Sequence, residues 1–143
     1  MKTNITLITI LMMIVLAGCE KEPADYRDQF LGKWRGQWEY TTPYYHQDHL
    51  YAYRHFIYGF TETEMSVNTN WRDQVAEVWG DSYTFQPFGI ASYTTCGNVA
   101  VIFTISGSGR IDGDTLRESG SIAFVEENRE YLGSWKSWMV KDN

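Results

Sequence analysis

The chain has 143 residues, of which 43% are hydrophobic and 21% are charged, and its formal net charge is −6. This length fits one domain and is sufficient to bury a hydrophobic core without a metal or several disulfides. The acidic balance argues against nucleic acid or an anionic membrane surface as the partner of this chain.

The N-terminal segment has the organisation of a secretory signal. Lys2 supplies a positive charge, and Ile5 to Leu16 form an uncharged apolar run of about twelve residues. A helix that crosses a bilayer needs about twenty apolar residues, so this run is too short for a transmembrane anchor. We therefore assign residues 1–18 to a cleaved signal peptide and exclude them from the fold.

The run ends in Leu16-Ala17-Gly18-Cys19, which resembles the lipobox of bacterial lipoproteins. The resemblance implies cleavage after Gly18, acylation of Cys19 and anchoring of the protein, through membrane lipid, to the cell envelope at the outer membrane. Residues 19–25 then form a lipidated tether, and residues 26–143 form the folded domain. The alternative is an ordinary cysteine behind a shortened transmembrane segment. If Cys19 is acylated, Cys96 has no partner for an intramolecular disulfide.

The first half of the domain predicts short strands separated by polar turns. Residues 25–30 fit one helical turn. Trp34, Gly36, Trp38 and Tyr40 then alternate with polar residues, which predicts a strand with one buried face. A polar loop over 41–49 separates this strand from the next. Further strands are predicted over residues 50–60, 65–71, 74–79 and 83–85.

The second half predicts two hairpins and a last strand. The first hairpin joins 90–96 to 99–105, and the second joins 108–111 to 115–124 through Asp112-Gly113, which suits a type I′ turn. Residues 131–140 form the last strand. About eight to ten short strands with almost no helix predict an all-β fold, an antiparallel barrel, with a β-sandwich as the alternative.

A repeated segment favours the barrel. Leu31-Gly32-Lys33-Trp34 opens the domain, and Leu132-Gly133-Ser134-Trp135 lies near its end. In an up-and-down barrel the first and last strands are neighbours, which removes both sheet edges. We expect the two segments to meet there and to place a matched pair of tryptophans over glycine. Coincidence in a tryptophan-rich chain is the alternative.

The opening of the domain also resembles a known family. Gly32-Lys33-Trp34 resembles the Gly-x-Trp signature of lipocalins and other calycins, and the mature chain looks like short lipocalin-like bacterial lipoproteins. The resemblance implies a calycin-like β-barrel. In lipocalins an arginine of the last strand covers the signature tryptophan. The candidates here are Lys136, in the predicted last strand, and Arg129, just before it.

One group of side chains could bind a metal. His46, Asp48 and His49 share a predicted loop, and His55 follows on the next predicted strand. Imidazole and carboxylate groups that can bind zinc therefore lie close together in the sequence. A solvated polar loop explains the same residues without a metal. No sequence motif in the chain predicts a catalytic site, and we expect neither an enzyme nor a bound metal or cofactor.

Four tyrosines are the candidate ligand-binding residues. Tyr44, Tyr45, Tyr51 and Tyr53 cluster around a loop and a strand start, where they could stack on a sugar or form one lip of a barrel mouth. Residues 99–105 are apolar on both faces, which predicts a covering element or partner. We therefore expect a non-catalytic, lipid-anchored barrel that binds a small apolar or amphipathic ligand or docks onto another envelope protein. The alternatives are a glycan-binding accessory protein and a metal-dependent hydrolase that uses the histidine loop.

Overall fold

The computed structural model describes residues 25–42, 46–70, 72–93, 100–126 and 129–142. Within them, eight antiparallel strands form a closed barrel in which each strand pairs with its sequence neighbours and the last pairs with the first. The strands are β1 (Gly32–Thr41), β2 (His46–Tyr58), β3 (Glu64–Thr69), β4 (Asp73–Trp79), β5 (Ser82–Tyr93), β6 (Ala100–Asp112), β7 (Thr115–Glu126) and β8 (Arg129–Lys141). The barrel is confirmed, and the sandwich is not formed. We find no helix in these ranges that is long and apolar enough to span a bilayer.

The strand assignment of residues 74–79 illustrates why alternation predicted this fold well. Gln74, Ala76 and Val78 are all buried on the inner face of β4, whereas Val75 and Trp79 are exposed. A strand places every second side chain on the same face, so this pattern belongs to one wall of a barrel with a filled interior.

The two Leu-Gly-x-Trp segments do not meet, so that expectation is wrong. Strands β1 and β8 are neighbours, but they are antiparallel: Trp34 is opposite Lys141, and Trp135 is opposite Tyr40. The two tryptophans therefore lie at opposite ends of the barrel. The glycine that Trp135 approaches is Gly107 on β6, where an added Cβ would lie 2.5 Å from the indole ring.

Two pairs of predicted strands are single long strands in the structure. Strand β5 runs through 82–93 with a shift in register between Phe85 and Phe88, and β6 runs through 100–112 without a break. The prediction left residues 106 and 107 between two strands, but Gly107 and Gly109 both lie inside β6, face inward and leave room for aromatic rings. A Cβ on Gly109 would lie 2.3 Å from the ring of Tyr83. Glycine here serves close packing inside a strand.

The β6–β7 turn has Gly113 and Asp114 at its centre. Gly113 has a φ of +61°, and Asp114 is not in the positive-φ region. A positive φ at the first central residue alone is the pattern of a type II′ turn, so the predicted type I′ turn is wrong. The predicted polar loop also ends earlier, because β2 already begins at His46.

One end of the barrel, which we call the capped end, is covered by residues 25–30. Backbone hydrogen bonds from Asp28 N to Asp25 O (3.0 Å) and from Phe30 N to Arg27 O (2.9 Å) form the turns. Phe30 is completely buried and packs edge-on against Tyr83, with ring centroids 5.2 Å apart. The indole N–H of Trp34 donates to the Phe30 carbonyl at 2.7 Å, which ties the first strand to the cap.

The cation near Trp34 is Lys141 rather than either predicted candidate. The Lys141 Nζ lies 5.5 Å from the centroid of the Trp34 ring, at a distance typical of a cation–π contact. Lys136 instead projects from the outer face and pairs with Glu39 at 2.6 Å. The prediction failed because β8 extends to Lys141, one residue beyond its predicted end, and the antiparallel register places that residue opposite Trp34.

Candidate functional site

A buried ion pair crosses the barrel interior. The alternation of β2 places Arg54 inward between Ala52 and Phe56, and that of β7 places Glu118 inward after Leu116. Arg54 Nε and Nη2 donate to the two carboxylate oxygens of Glu118 at 3.0 and 2.9 Å. The side chains are 2% and 0% exposed. This bidentate geometry lets the interior accommodate two charges that would each be costly alone.

Further donors complete the surroundings of the Glu118 carboxylate. Tyr83 Oη donates to Oε1 at 2.5 Å, and Ser137 Oγ donates to Oε2 at 2.6 Å. Four hydrogen bonds therefore reach a carboxylate that has about four acceptor positions. Arg54 also donates to the backbone carbonyl of Tyr53 at 2.7 Å. With its acceptor positions filled from within the fold, Glu118 is equipped to stabilise the interior rather than to act on a substrate.

Tyr83 gives this network a pH dependence. Burial, with a contribution from the negative charge of Glu118, raises the pKa of Tyr83 well above its ordinary value. A tyrosine in the unfolded chain loses its proton near about pH 10, whereas the folded chain keeps it. The contribution of Tyr83 to stability is therefore complete below pH 10 and decreases as the pH rises through the folded pKa, by up to about 1.4 kcal/mol per pH unit.

We expect Tyr83→Phe to flatten the alkaline loss of stability. Urea unfolding between about pH 9 and 11 should show a smaller decrease in the free energy of unfolding for Tyr83→Phe than for the unmodified chain. Tyr51→Phe, on the outer face, is the matched control and should follow the unmodified chain. Parallel curves for the Tyr83 variant and the unmodified chain would contradict this assignment.

At the end opposite the cap, inward-facing aromatic side chains form what we call the aromatic rim. Trp38 and Tyr40 stack with ring centroids 5.2 Å apart, and Phe124 lies between Phe103 at 5.3 Å and Tyr131 at 4.9 Å. All five are partly buried. Towards the cap, Phe88, Ile105, Ile122 and Trp135 are buried, so side chains fill the described interior there, and the rim keeps apolar surface that is only partly covered.

Gln74 adds an unused polar group at the same end. It is the second residue of β4, faces inward, and is only 9% exposed. Within the described part of the chain, its Nε2 has no hydrogen-bond partner. A buried polar atom without a partner costs about 1–3 kcal/mol, and such atoms are uncommon in folded proteins. The amide is thus able to bond an additional group.

The predicted tyrosines lie elsewhere. Tyr51 and Tyr53 occupy outward positions of β2, alternating with the inward Ala52 and Arg54, and Tyr51 is exposed. The Tyr53 backbone N–H donates to Asn70 Oδ1 at 2.7 Å. The two side chains therefore face away from the interior. Tyr44, Tyr45 and Cys96 lie outside the described residues, and a ligand role for the four tyrosines stays a prediction.

The histidine loop is brought together only in part. Asp48 Oδ2 lies 3.8 Å from His46 Nε2 and 3.6 Å from His49 Nε2, and all three side chains are exposed. His55 pairs with Lys33 and Asn68, towards the capped end of the same long strand. Among the described residues, no three His, Cys, Asp or Glu side chains are grouped closely enough to hold a metal ion.

The outer wall has a groove and an apolar patch. The groove, of about 530 Å³, crosses β6, β7 and β8, where Arg117 lies between Arg110 and Trp138. Serine hydroxyls and Lys136 line it as well. The patch is formed by Ile102, Val125 and Leu132, which are 64%, 59% and 63% exposed. Ile102 is an outward residue of the segment predicted to be apolar on both faces.

Sequence reasoning gave no role to the inward polar residues of the barrel interior, Arg54, Gln74 and Glu118. On its strand face Arg54 lies between Ala52 and Phe56, and Glu118 lies between Leu116 and Gly120, so a charged residue among apolar or small neighbours was the available signal. In comparisons with known proteins, no family model, no curated protein and no solved structure matches the chain. Functional inference therefore depends on the chemistry of the sites themselves.

Proposed function

We propose that this chain is a lipocalin-like, lipid-anchored protein of the bacterial outer membrane whose barrel binds a small apolar or amphipathic molecule without catalysis. The observation that carries the binding role is the combination of the aromatic rim with the unpartnered Gln74 amide at one end of the barrel. Partly buried rings offer an apolar surface, and one amide donor orients a ligand that carries an acceptor oxygen. Because the interior towards the cap is filled, the ligand lies at the rim rather than deep in the barrel.

Two roles on the outer wall are the alternatives. The exposed patch of Ile102, Val125 and Leu132 supports docking onto another envelope protein, since apolar patches often mark interaction surfaces. The outer groove supports glycan binding, because Trp138 offers a stacking surface while arginine and serine side chains offer donors. Both surfaces are separate from the rim, so variants can tell the three roles apart.

The lipid anchor has a direct test. In an expressing bacterium fed labelled palmitate, Cys19→Ala should leave the precursor uncleaved and unlabelled, because the thiol is the acceptor of the acyl group. Cys96→Ala is the matched control and should be cleaved and labelled as the unmodified chain is. Normal processing and labelling of the Cys19 variant would contradict the lipoprotein assignment.

The rim is tested with 1-anilinonaphthalene-8-sulfonate, a fluorescent probe that has an aromatic body and acceptor oxygens. We expect it to bind the unmodified protein and to bind more weakly to Phe124→Ala. Gln74→Leu should weaken binding by about tenfold, which corresponds to one hydrogen bond. The same variant should be at least as stable as the unmodified chain without the probe, because it removes an unpartnered buried amide.

Tyr51→Ala is the matched control for these variants, since Tyr51 is an exposed aromatic residue of the outer wall. Probe binding that Tyr51→Ala abolishes and Phe124→Ala leaves unchanged would move the site from the rim to the predicted tyrosines. Loss of binding in Ile102→Ser alone would instead identify the outer patch as the apolar surface.

A further inference from the structure

Three aromatic side chains are exposed together at the capped end. Phe60 is completely exposed, Trp79 is 67% exposed and Tyr26 is 65% exposed. They come from different segments: the turn before β1, the β2–β3 connection and the end of β4. We call them the capped-end aromatics. Together they offer the exposed apolar surface that soluble proteins usually bury or use for binding.

Hydrogen bonds hold these segments at one end of the barrel. Arg27 Nη1 donates to the carbonyl of Thr61 at 2.6 Å, which joins the N-terminal turn to the β2–β3 connection. The side chain of Gln29 donates to the carbonyls of Tyr26 and Gly80, which joins the same turn to the β4–β5 connection. The surface is thus part of the fold rather than of a separate arm.

The N-terminal tether enters the barrel at this same end. Asp25 is held in the capping turn by the Asp28 backbone N–H, and only six positions separate it from Cys19. A chain spans at most about 3.6 Å per residue, so a lipid on Cys19 holds the capped end within about 20 Å of the bilayer. The opposite end, with the aromatic rim, is a strand length farther away.

We propose that the capped end of the barrel lies on the bilayer and that Tyr26, Phe60 and Trp79 enter the membrane interface. This orientation rests on the proposed lipid anchor. Tryptophan and tyrosine are enriched at membrane interfaces, where their apolar rings and polar groups both find a favourable environment. The rim then faces away from the bilayer, so its ligand arrives from the aqueous side rather than from the lipid.

Charge indicates what kind of lipid surface fits. Asp28, Glu62 and Asp81 are exposed in the same three segments as the capped-end aromatics, and Arg27 there is paired with Asp25. The exposed cations of this end, Lys33 and Lys141, lie on β1 and β8 instead. Anionic lipid would therefore repel this surface, and the contact depends on the aromatic rings. Zwitterionic lipid is the matching partner, and adding salt should change the binding little.

The test uses the full acylated chain in phosphatidylcholine vesicles that contain a nitroxide-labelled lipid as quencher. In a Cys96→Ser background, a fluorescent label is attached at Glu62→Cys, near the capped-end aromatics, or at Glu130→Cys, at the other end. We expect strong quenching at position 62 and little at position 130. Adding Phe60→Ser and Trp79→Ser should reduce quenching at position 62 severalfold, whereas Ile102→Ser and Leu132→Ser, the matched control, should leave it unchanged.

The outcomes separate the orientation from the anchor. If the acylated chain sediments with the vesicles and position 62 is not quenched more than position 130, the orientation is wrong and the anchor stands. If the chain carries no acyl group and does not sediment with the vesicles, the proposed anchor is wrong. The proposed orientation, which rests on the anchor, is then wrong as well. Quenching at position 62 that the double serine variant does not reduce would exclude a role for the aromatics.

Discussion

Arg54→Met should lower the free energy of unfolding by about 3–5 kcal/mol, because it leaves the Glu118 carboxylate buried without its cation. The bidentate bonds of 3.0 and 2.9 Å would be lost, and only the hydroxyl donors of Tyr83 and Ser137 would remain. Urea unfolding followed by tryptophan fluorescence and by circular dichroism gives the measurement.

Arg35→Met is the matched control for this experiment. Arg35 also forms an arginine–carboxylate pair, with Asp142 at 2.9 Å, but its side chain is 53% exposed. An exposed pair contributes about 0–1 kcal/mol, so the control should stay close to the unmodified chain. The double variant Arg54→Met/Glu118→Leu should recover part of the lost stability, since no buried charge remains. Equal effects of Arg54→Met and Arg35→Met would show that the buried pair is not important for stability.

Trp34→Ala should also be costly, lowering the free energy of unfolding by about 3–5 kcal/mol. Trp34 is only 3% exposed, its indole N–H holds the cap through the Phe30 carbonyl, and Lys141 lies over its ring. The substitution removes a large part of the core at the capped end and releases residues 25–30 from β1. The measurement is again the midpoint and slope of urea unfolding.

Trp79→Ala provides the comparison, because Trp79 is an exposed tryptophan at the same end of the barrel. Surface substitutions away from packed contacts usually change stability by about 0.5 kcal/mol or less. A loss of stability in Trp79→Ala as large as that in Trp34→Ala would mean that the exposed ring packs against the folded domain. That result would also argue against the proposed orientation on the bilayer.

The sequence predicted the class of fold because alternation is a local property. In β1 it identified the inward face of Trp34, Gly36, Trp38 and Tyr40 correctly, and it predicted β4 as a strand. The prediction of strand boundaries failed where a glycine can either end a strand or lie inside one. Gly107 was left in a break between two predicted strands, whereas it lies inside β6 and, like Gly109, gives space to an aromatic ring, here that of Trp135.

The functional side chains and the buried ion pair were harder to predict than the fold, because the residues that meet in the barrel are distant in the chain. Arg54 and Glu118 are separated by 64 positions, and nothing local to either residue identifies the other. Tyr51 and Tyr53 were chosen for their clustering in sequence, but the alternation of β2 directs them outward. The clue that was available was a polar residue at an inward position, which Arg54, Gln74 and Glu118 share.

By itself, the sequence determined an all-β domain, the inner and outer faces of most strands, and the neighbouring positions of the first and last strands. These features follow from a period of two residues and from the need to leave no free sheet edge. Only the tertiary structure decided the register that places Trp34 opposite Lys141, the pairing of Arg54 with Glu118, and the burial of the Gln74 amide without a hydrogen-bond partner among the described residues. Register is set jointly by all eight strands of a closed barrel, so no single segment carries that information.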